Sequence, residues 1–313
     1  MQFAMAFKII GVLLILFSTA MLPSLLLSLI AKDGIESAFA TGLATTLFAG
    51  VMLWLPTRHL SRDLNIRDGF MVTALFWVVL GLFGAIPLWL APDLALTPVG
   101  AIFESISGLT TTGATVITGL DKLPQSLLFY RQLLQWLGGI GIIVLAVAIL
   151  PMLGIGGMQL YRAESAGPSK DRKLTPRITS TAKALFGIYL LLTIACAASY
   201  LAAGMSMFHA ICHAFSTVAI GGFSTHDASL GHYEQNRVLL VSSVFMLLSA
   251  INFGLHFIAL QRRNLRVYAR DSETAFFITV IASATIVVCC LLLTTETLNF
   301  CLLYTSDAAD DVI

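Results

Sequence analysis

The stretch Phe103-Glu104-Ser105-Ile106-Ser107-Gly108-Leu109-Thr110-Thr111-Thr112-Gly113-Ala114-Thr115-Val116 decides how this sequence is read. Its apolar part, 100–110, falls well short of the ~20 residues a helix needs to cross a bilayer. It runs directly into a Thr/Gly segment, and a full-length apolar run follows. Cys212-His213-Ala214-Phe215-Ser216-Thr217-Val218-Ala219-Ile220-Gly221-Gly222-Phe223-Ser224 has the same form. Sliding the sequence by 109 residues sets Gly113 on Gly222, Thr112 on Gly221 and Ser107 on Ser216. Short helices of this kind predict re-entrant segments, which must be buried in protein or line a water-filled cavity.

Working outward, apolar runs of spanning length fall at 9–31, 37–56, 70–91, 126–153, 184–203, 238–260 and 274–293. The order "span, short helix, Gly/Thr segment, span, basic loop" therefore occurs twice, over 70–165 and 182–273. Both copies start and end on the same side, so they are parallel repeats about an axis along the membrane normal, with a central pathway between them. This divides the chain into a leading two-span segment (1–67), a first unit (68–165), a second unit (166–272) and the start of a third (273–300). Glu164 aligns with Glu273 under the same shift. The Gly/Thr segment of the third unit would fall past residue 313. Residues 301–313, including the acidic Asp307-Ala308-Ala309-Asp310-Asp311, match nothing in the other copies and read as a tail foreign to the pattern of a truncated chain.

Composition fits a polytopic all-α membrane protein. Of 313 residues 58% are apolar and 11% charged, against about 25% charged in soluble domains. A soluble enzyme and a nucleic-acid binder are excluded, and a net charge of +1 offers no attraction for polyanions. The five cysteines sit in apolar runs without metal-like spacing. No short apolar run closed by a small-residue cleavage signal marks a leader peptide. Basic residues crowd the segments that face inward if the N-terminus is cytoplasmic (Arg58, Arg62 and Arg67; Arg162 to Lys183; Arg262 to Arg270), whereas the opposite side holds Lys32, Lys122, Arg131 and Arg237. The positive-inside rule then sets the N-terminus in the cytoplasm and both re-entrant segments entering from outside.

A helix that dips in and stops halfway sets its partly negative C-terminal end near the membrane midplane, where it favours a cation. The residues that follow can aim carbonyls at the central axis and replace an ion's hydration shell. The expected coordinating carbonyls are those of Thr111, Thr112, Gly113, Ile220, Gly221 and Gly222, the three glycines supplying positive φ. No ionisable side chain lies at these positions, which suits a weakly hydrated monovalent cation better than Mg²⁺. Each motif alone is equally an ordinary loop with turn glycines; their recurrence at matching points favours a selectivity filter.

Other conspicuous residues have simpler expectations. His209 and His213 are four apart, a spacing open to a membrane metalloenzyme reading with His226 and Asp227. Six scattered histidines are too few for such an enzyme, so no transition-metal site is expected. Glu104, early in the first short helix, is expected either to favour that helix's partly positive N-terminus or to add to an electronegative outer mouth, and Asp227, after the second turn, fits either role. Arg131 and Arg237 are expected at the outer interface, snorkelling to water. Gly138, Gly139 and Gly141 allow close helix approach. No phosphate-binding loop and no Ser/His/Asp set stands out, so the chain is not read as an enzyme.

The residues 103–116, Arg131-Gln132-Leu133-Leu134-Gln135-Trp136-Leu137-Gly138-Gly139-Ile140-Gly141, Tyr161-Arg162-Ala163-Glu164 and Ile220-Gly221-Gly222-Phe223-Ser224-Thr225-His226-Asp227 together resemble the TrkH/TrkG family of bacterial potassium-uptake subunits, in the wider Trk/Ktr/HKT superfamily. The resemblance implies a two-helix leader and four span–pore-helix–span units around one K⁺ pathway in the inner membrane. It further implies a homodimer and a cytoplasmic nucleotide-binding partner, TrkA, which the loop 162–183 would face. Thr111, Thr112 and Gly113 then match the first filter strand, and Ile220, Gly221 and Gly222 the second. Gly113, where sodium-preferring plant relatives carry serine, implies potassium; a sodium-conducting relative is the alternative, and proton symport stays open. The third and fourth filter strands have no counterpart in these 313 residues.

Overall fold

The computed structural model describes residues 3–60, 66–148 and 174–294, and every element among them is helical. The helices in chain order are α1 (Phe3–Ala20), α2 (Leu22–Ala31), α3 (Glu36–Thr57), α4 (Ile66–Leu90), α5 (Pro98–Leu109), α6 (Gln125–Ala148), α7 (Leu174–Ala202), α8 (Met207–Ala219), α9 (Asn236–Ala250), α10 (Phe253–Arg262), α11 (Arg266–Arg270) and α12 (Ser272–Thr294). Residues 149–173, with Glu164 and most of the basic residues between Arg162 and Lys183, lie outside the described residues, as do Arg62 and residues 301–313.

The first apolar run forms two helices. Pro23 opens α2 after the buried Met21, at a position where proline's missing N–H costs nothing. α1 then packs on α3 through glycines. A Cβ on Gly11 would stand 2.8 Å from the Trp54 nitrogen and 2.9 Å from the Gly50 carbonyl oxygen, so the two backbones touch where side chains are absent.

The two short helices are built alike. Thr97 and Ser206 are their N-caps, 109 residues apart, and share φ −66° and ψ 156°. Thr97 Oγ1 accepts from Gly100 N at 3.1 Å, and Pro98 follows it at the first helical position. α5 packs between α4 and α6, and α8 between α7 and α9. α6 also packs on α7 and α8, so one helix joins the two halves. One apolar core surrounds Leu14, Phe39, Leu88 and Leu127; a second surrounds Tyr189, Cys196, Tyr200 and Val238.

One expected span differs from the sequence reading. Run 238–260 is not straight: α9 and α10 meet at a 93° bend. Asn252 caps α10, its side chain accepting from Gly254 N at 2.9 Å. His256 then reaches back to the Leu248 carbonyl at 2.8 Å, a group in the last turn of α9 that also accepts from Ile251 N. α6, at 24 residues, is long enough to span (about 36 Å). Gln125, Arg131, Gln132 and Gln135 make its first half polar.

Candidate ion-coordinating site

α5 and α8 end in the same backbone figure. Thr111 (φ 55°) and Ile220 (φ 53°) both turn left-handed, and Gly113 and Gly222 both have φ 82°. Thr112 N donates to the Ser107 carbonyl at 2.9 Å, and Gly221 N to the Ser216 carbonyl at the same distance. Such bonds satisfy the last carbonyls of each helix. The 109-residue offset thus carries over to dihedral angles and hydrogen bonds. Positive φ falls on Thr111 and Ile220 as well as on glycine, and Gly221 does not have it. The expectation that Gly221 supplies a left-handed turn is corrected here. Its missing side chain makes room instead, because a Cβ there would collide with the Gln135 carboxamide.

The two turns lie against each other. A Cβ on Gly113 would run into the Gly221 carbonyl and stand 3.4 Å from the Gly222 Cα. Thr111–Gly113 and Ile220–Gly222, remote in sequence, are therefore brought together main chain to main chain.

Two fully buried residues of α6, four apart and hence on one face, fix this arrangement. Gln135 Nε2 donates to the Gly221 carbonyl at 2.6 Å, while its Oε1 accepts from Phe223 N at 3.2 Å. Arg131 pairs with Glu104 at 2.7 Å, both side chains having no exposure at all. Its NH2 also donates to Thr115 Oγ1 at 3.1 Å and its NH1 to the Ser224 carbonyl at 3.3 Å. The guanidinium sits 4.4 Å over the Phe223 ring. Glu104 is further satisfied by Thr115 Oγ1 at 2.9 Å and Val116 N at 3.1 Å. One arginine thus holds the segments that follow both turns. Arg131, expected at the outer interface, is instead sealed inside with Glu104, since each supplies the charge the other needs in a dry site, and Glu104 takes the structural of its two expected roles. Arg237 is exposed, as expected. Gly138 and Gly139 bring α6 onto both short helices, at the Leu109 carbonyl and, at 3.3 Å, the Ala219 Cα.

In the second half His213 stands where the shift would set Glu104, and Ser224 where it would set Thr115. Nε2 of His213 meets Ser224 Oγ at 3.1 Å. Its Nδ1 meets the His209 carbonyl at 2.9 Å, and His209 Nδ1 meets Thr225 Oγ1 at 2.8 Å. The His209 and His213 rings are 6.4 Å apart. The pair is engaged in packing and hydrogen bonds, which disfavours the metalloenzyme reading. Asp227, exposed, accepts from Gly119 N at 2.9 Å and so links the two halves.

The family described as "TrkH: Cation transport protein" matches residues 35–313. The chain belongs to the TrkH family. TrkH proteins are transporters rather than enzymes, and the chain is a multi-pass membrane protein. It is 55% identical over 287 residues to the Trk system potassium uptake protein TrkH of Halomonas elongata, covering 92% of this chain and 60% of that protein. It is 53% identical to TrkH of Escherichia coli K12, covering 90% and 58%. The crystal structure of the potassium transporter TrkH from Vibrio parahaemolyticus superposes with a TM-score of 0.87 at 48% identity, over 96% of this chain and 61% of that one. The chain thus spans about 60% of the length of the TrkH relatives it matches.

Proposed function

We propose that this chain supplies two of the main-chain segments that ring a potassium ion in a Trk-type uptake pore of the bacterial inner membrane, its N-terminus in the cytoplasm. One observation carries the reading: two left-handed turns with matching angles, each ending a short helix, lie main chain to main chain. Carbonyls of Thr111, Thr112, Gly113, Ile220 and Gly222 face the ion. That of Gly221, held by Gln135, anchors the second strand. The C-terminal ends of α5 and α8 add partial negative charge without a formal carboxylate. Such a site favours K⁺, which sheds water readily, over Mg²⁺. In the division proposed here, 68–165 and 166–272 each contribute one strand, and further strands complete the ring. The assembly is a homodimer gated by a TrkA-type nucleotide-binding partner on the cytoplasmic side.

The test joins residues 1–294 to the remaining C-terminal part of the Halomonas elongata relative and expresses the chimera in a strain lacking potassium uptake. Rubidium uptake is expected, suppressed by Gly113→Asp, with potassium competing better than sodium. Uptake indifferent to Gly113→Asp rejects the site, and better competition by sodium favours the sodium-conducting alternative.

A further inference from the structure

Four of the six histidines gather on the side of the second turn where α8 begins: His209 and His213 on α8, His226 and His232 in the loop after the turn. Asp121, from the loop of the first half, joins them. Ligand atoms of Asp121, His226 and His232 all lie within 4.8 Å of one another. The His226 and His232 rings stack at 3.6 Å and 2°, a close approach that two charged imidazoles would oppose. His226 is 9% exposed and its Nε2 has no partner, while Nδ1 lies against an Asp121 carboxylate oxygen. A ring nitrogen so close to a carboxylate needs a cation between them, either a proton or a metal ion. His232 and Asp121 are exposed, so an ion from solvent can reach the cluster.

We propose that Asp121, His226 and His232 form a site for a borderline divalent cation of the zinc class. Two neutral imidazoles and one carboxylate, with a fourth position open to water, is a ligand set that such ions take and that Mg²⁺ and Ca²⁺ do not favour. The ion replaces the proton between His226 and Asp121, so binding releases a proton to solvent. His209, its ring 4.6 Å from that of His226, stands behind the site. The consequence is mechanical: the ion ties the loop carrying Asp121 to the segment leaving the second turn, stapling the two halves beside the candidate ion pathway. Sequence spacing hides this site, since Asp121 and His226 are 105 residues apart.

The test needs no transport. The 313-residue chain, purified in detergent, is titrated with Zn²⁺ against a chromogenic chelator, and with Co²⁺ while visible absorption is recorded. Expected are one Zn²⁺ per chain, a tetrahedral-type Co²⁺ spectrum, and binding that weakens on acidification, because protons compete with the ion for its ligands. His232→Gln and Asp121→Asn change exposed side chains, and circular dichroism of each variant confirms that the helices are intact before titration. Each is expected to weaken Zn²⁺ binding at least about tenfold and to alter the Co²⁺ spectrum, while His59→Gln leaves both unchanged. Absence of stoichiometric Zn²⁺ binding, or binding indifferent to both His232→Gln and Asp121→Asn, overturns the proposal. Neither result bears on rubidium uptake, so this site and the potassium reading fail separately.

Discussion

Arg131 shows how much one residue can hold in a dry interior. Replacing it with Met leaves Glu104 ionised without a counter-charge, which typically costs about 3–5 kcal/mol. Arg131→Met is therefore expected to lower the melting temperature of the purified chain strongly. The double change Arg131→Met with Glu104→Gln recovers much of the loss, because the stranded carboxylate is gone; a double variant no better than the single one would contradict the pairing. At Gly113, alanine combines a collision with the Gly221 carbonyl and a left-handed angle that side chains resist, a strain of about 1–3 kcal/mol. Gly113→Ala should thus destabilise far more than Gly187→Ala, where a Cβ meets nothing. Asp121 gives a pH dependence: its hydrogen bond with His226 holds its carboxyl below the ordinary carboxylate value. A carboxyl lowered in the folded state stabilises above its unfolded pKa, and that contribution disappears as pH falls through the lowered value. The gap in melting temperature between the wild-type chain and Asp121→Asn should therefore close on acidification below about pH 4. The partnerships of Arg131 and Gln135 were not legible in the sequence. Ser224 lies 93 residues from Arg131 and Gly221 86 from Gln135, and only the spacing of Arg131 and Gln135 hinted at a shared inward face.

At the scale of elements, length and hydropathy were informative where a helix is apolar all round and misleading where it is not. The short helices α5 and α8 stood out because they are too brief to span, although the start of the first, at Thr97-Pro98, came only with the structure. The bend at 251–252 escaped notice because a hydropathy window averages a lone Asn252 into its apolar neighbours. In α6 the polar residues Arg131, Gln132 and Gln135 are fully buried against protein, which a count of apolar residues along the run could not show. The bend makes its own prediction. Asn252→Ala removes the cap of α10, worth about 1 kcal/mol, and frees the bond to Gly254 N. Hydrogen exchange at Gly254 and Leu255 should quicken, with little change on α7.

For the whole molecule, the 109-residue offset was the most informative number in the sequence, because it relates two places that have the same backbone problem to solve. It could not show that the places touch, nor that Gly119 and Asp227, 108 residues apart, tie the halves. Nor did composition reveal the gathering of histidines, which arises only when loops from different halves fold together. α12, with its most apolar window entirely unburied within this chain, adds a surface that lipid or further protein must cover.

α6 grips the second turn through Gln135 and the strands beyond both turns through Arg131, all from less than two turns of helix. A rod that carries two handles cannot twist one without twisting the other. Any push on its far end is felt by both strands together, so the pair widens or narrows in unison, and damage to either strand is inherited by its neighbour.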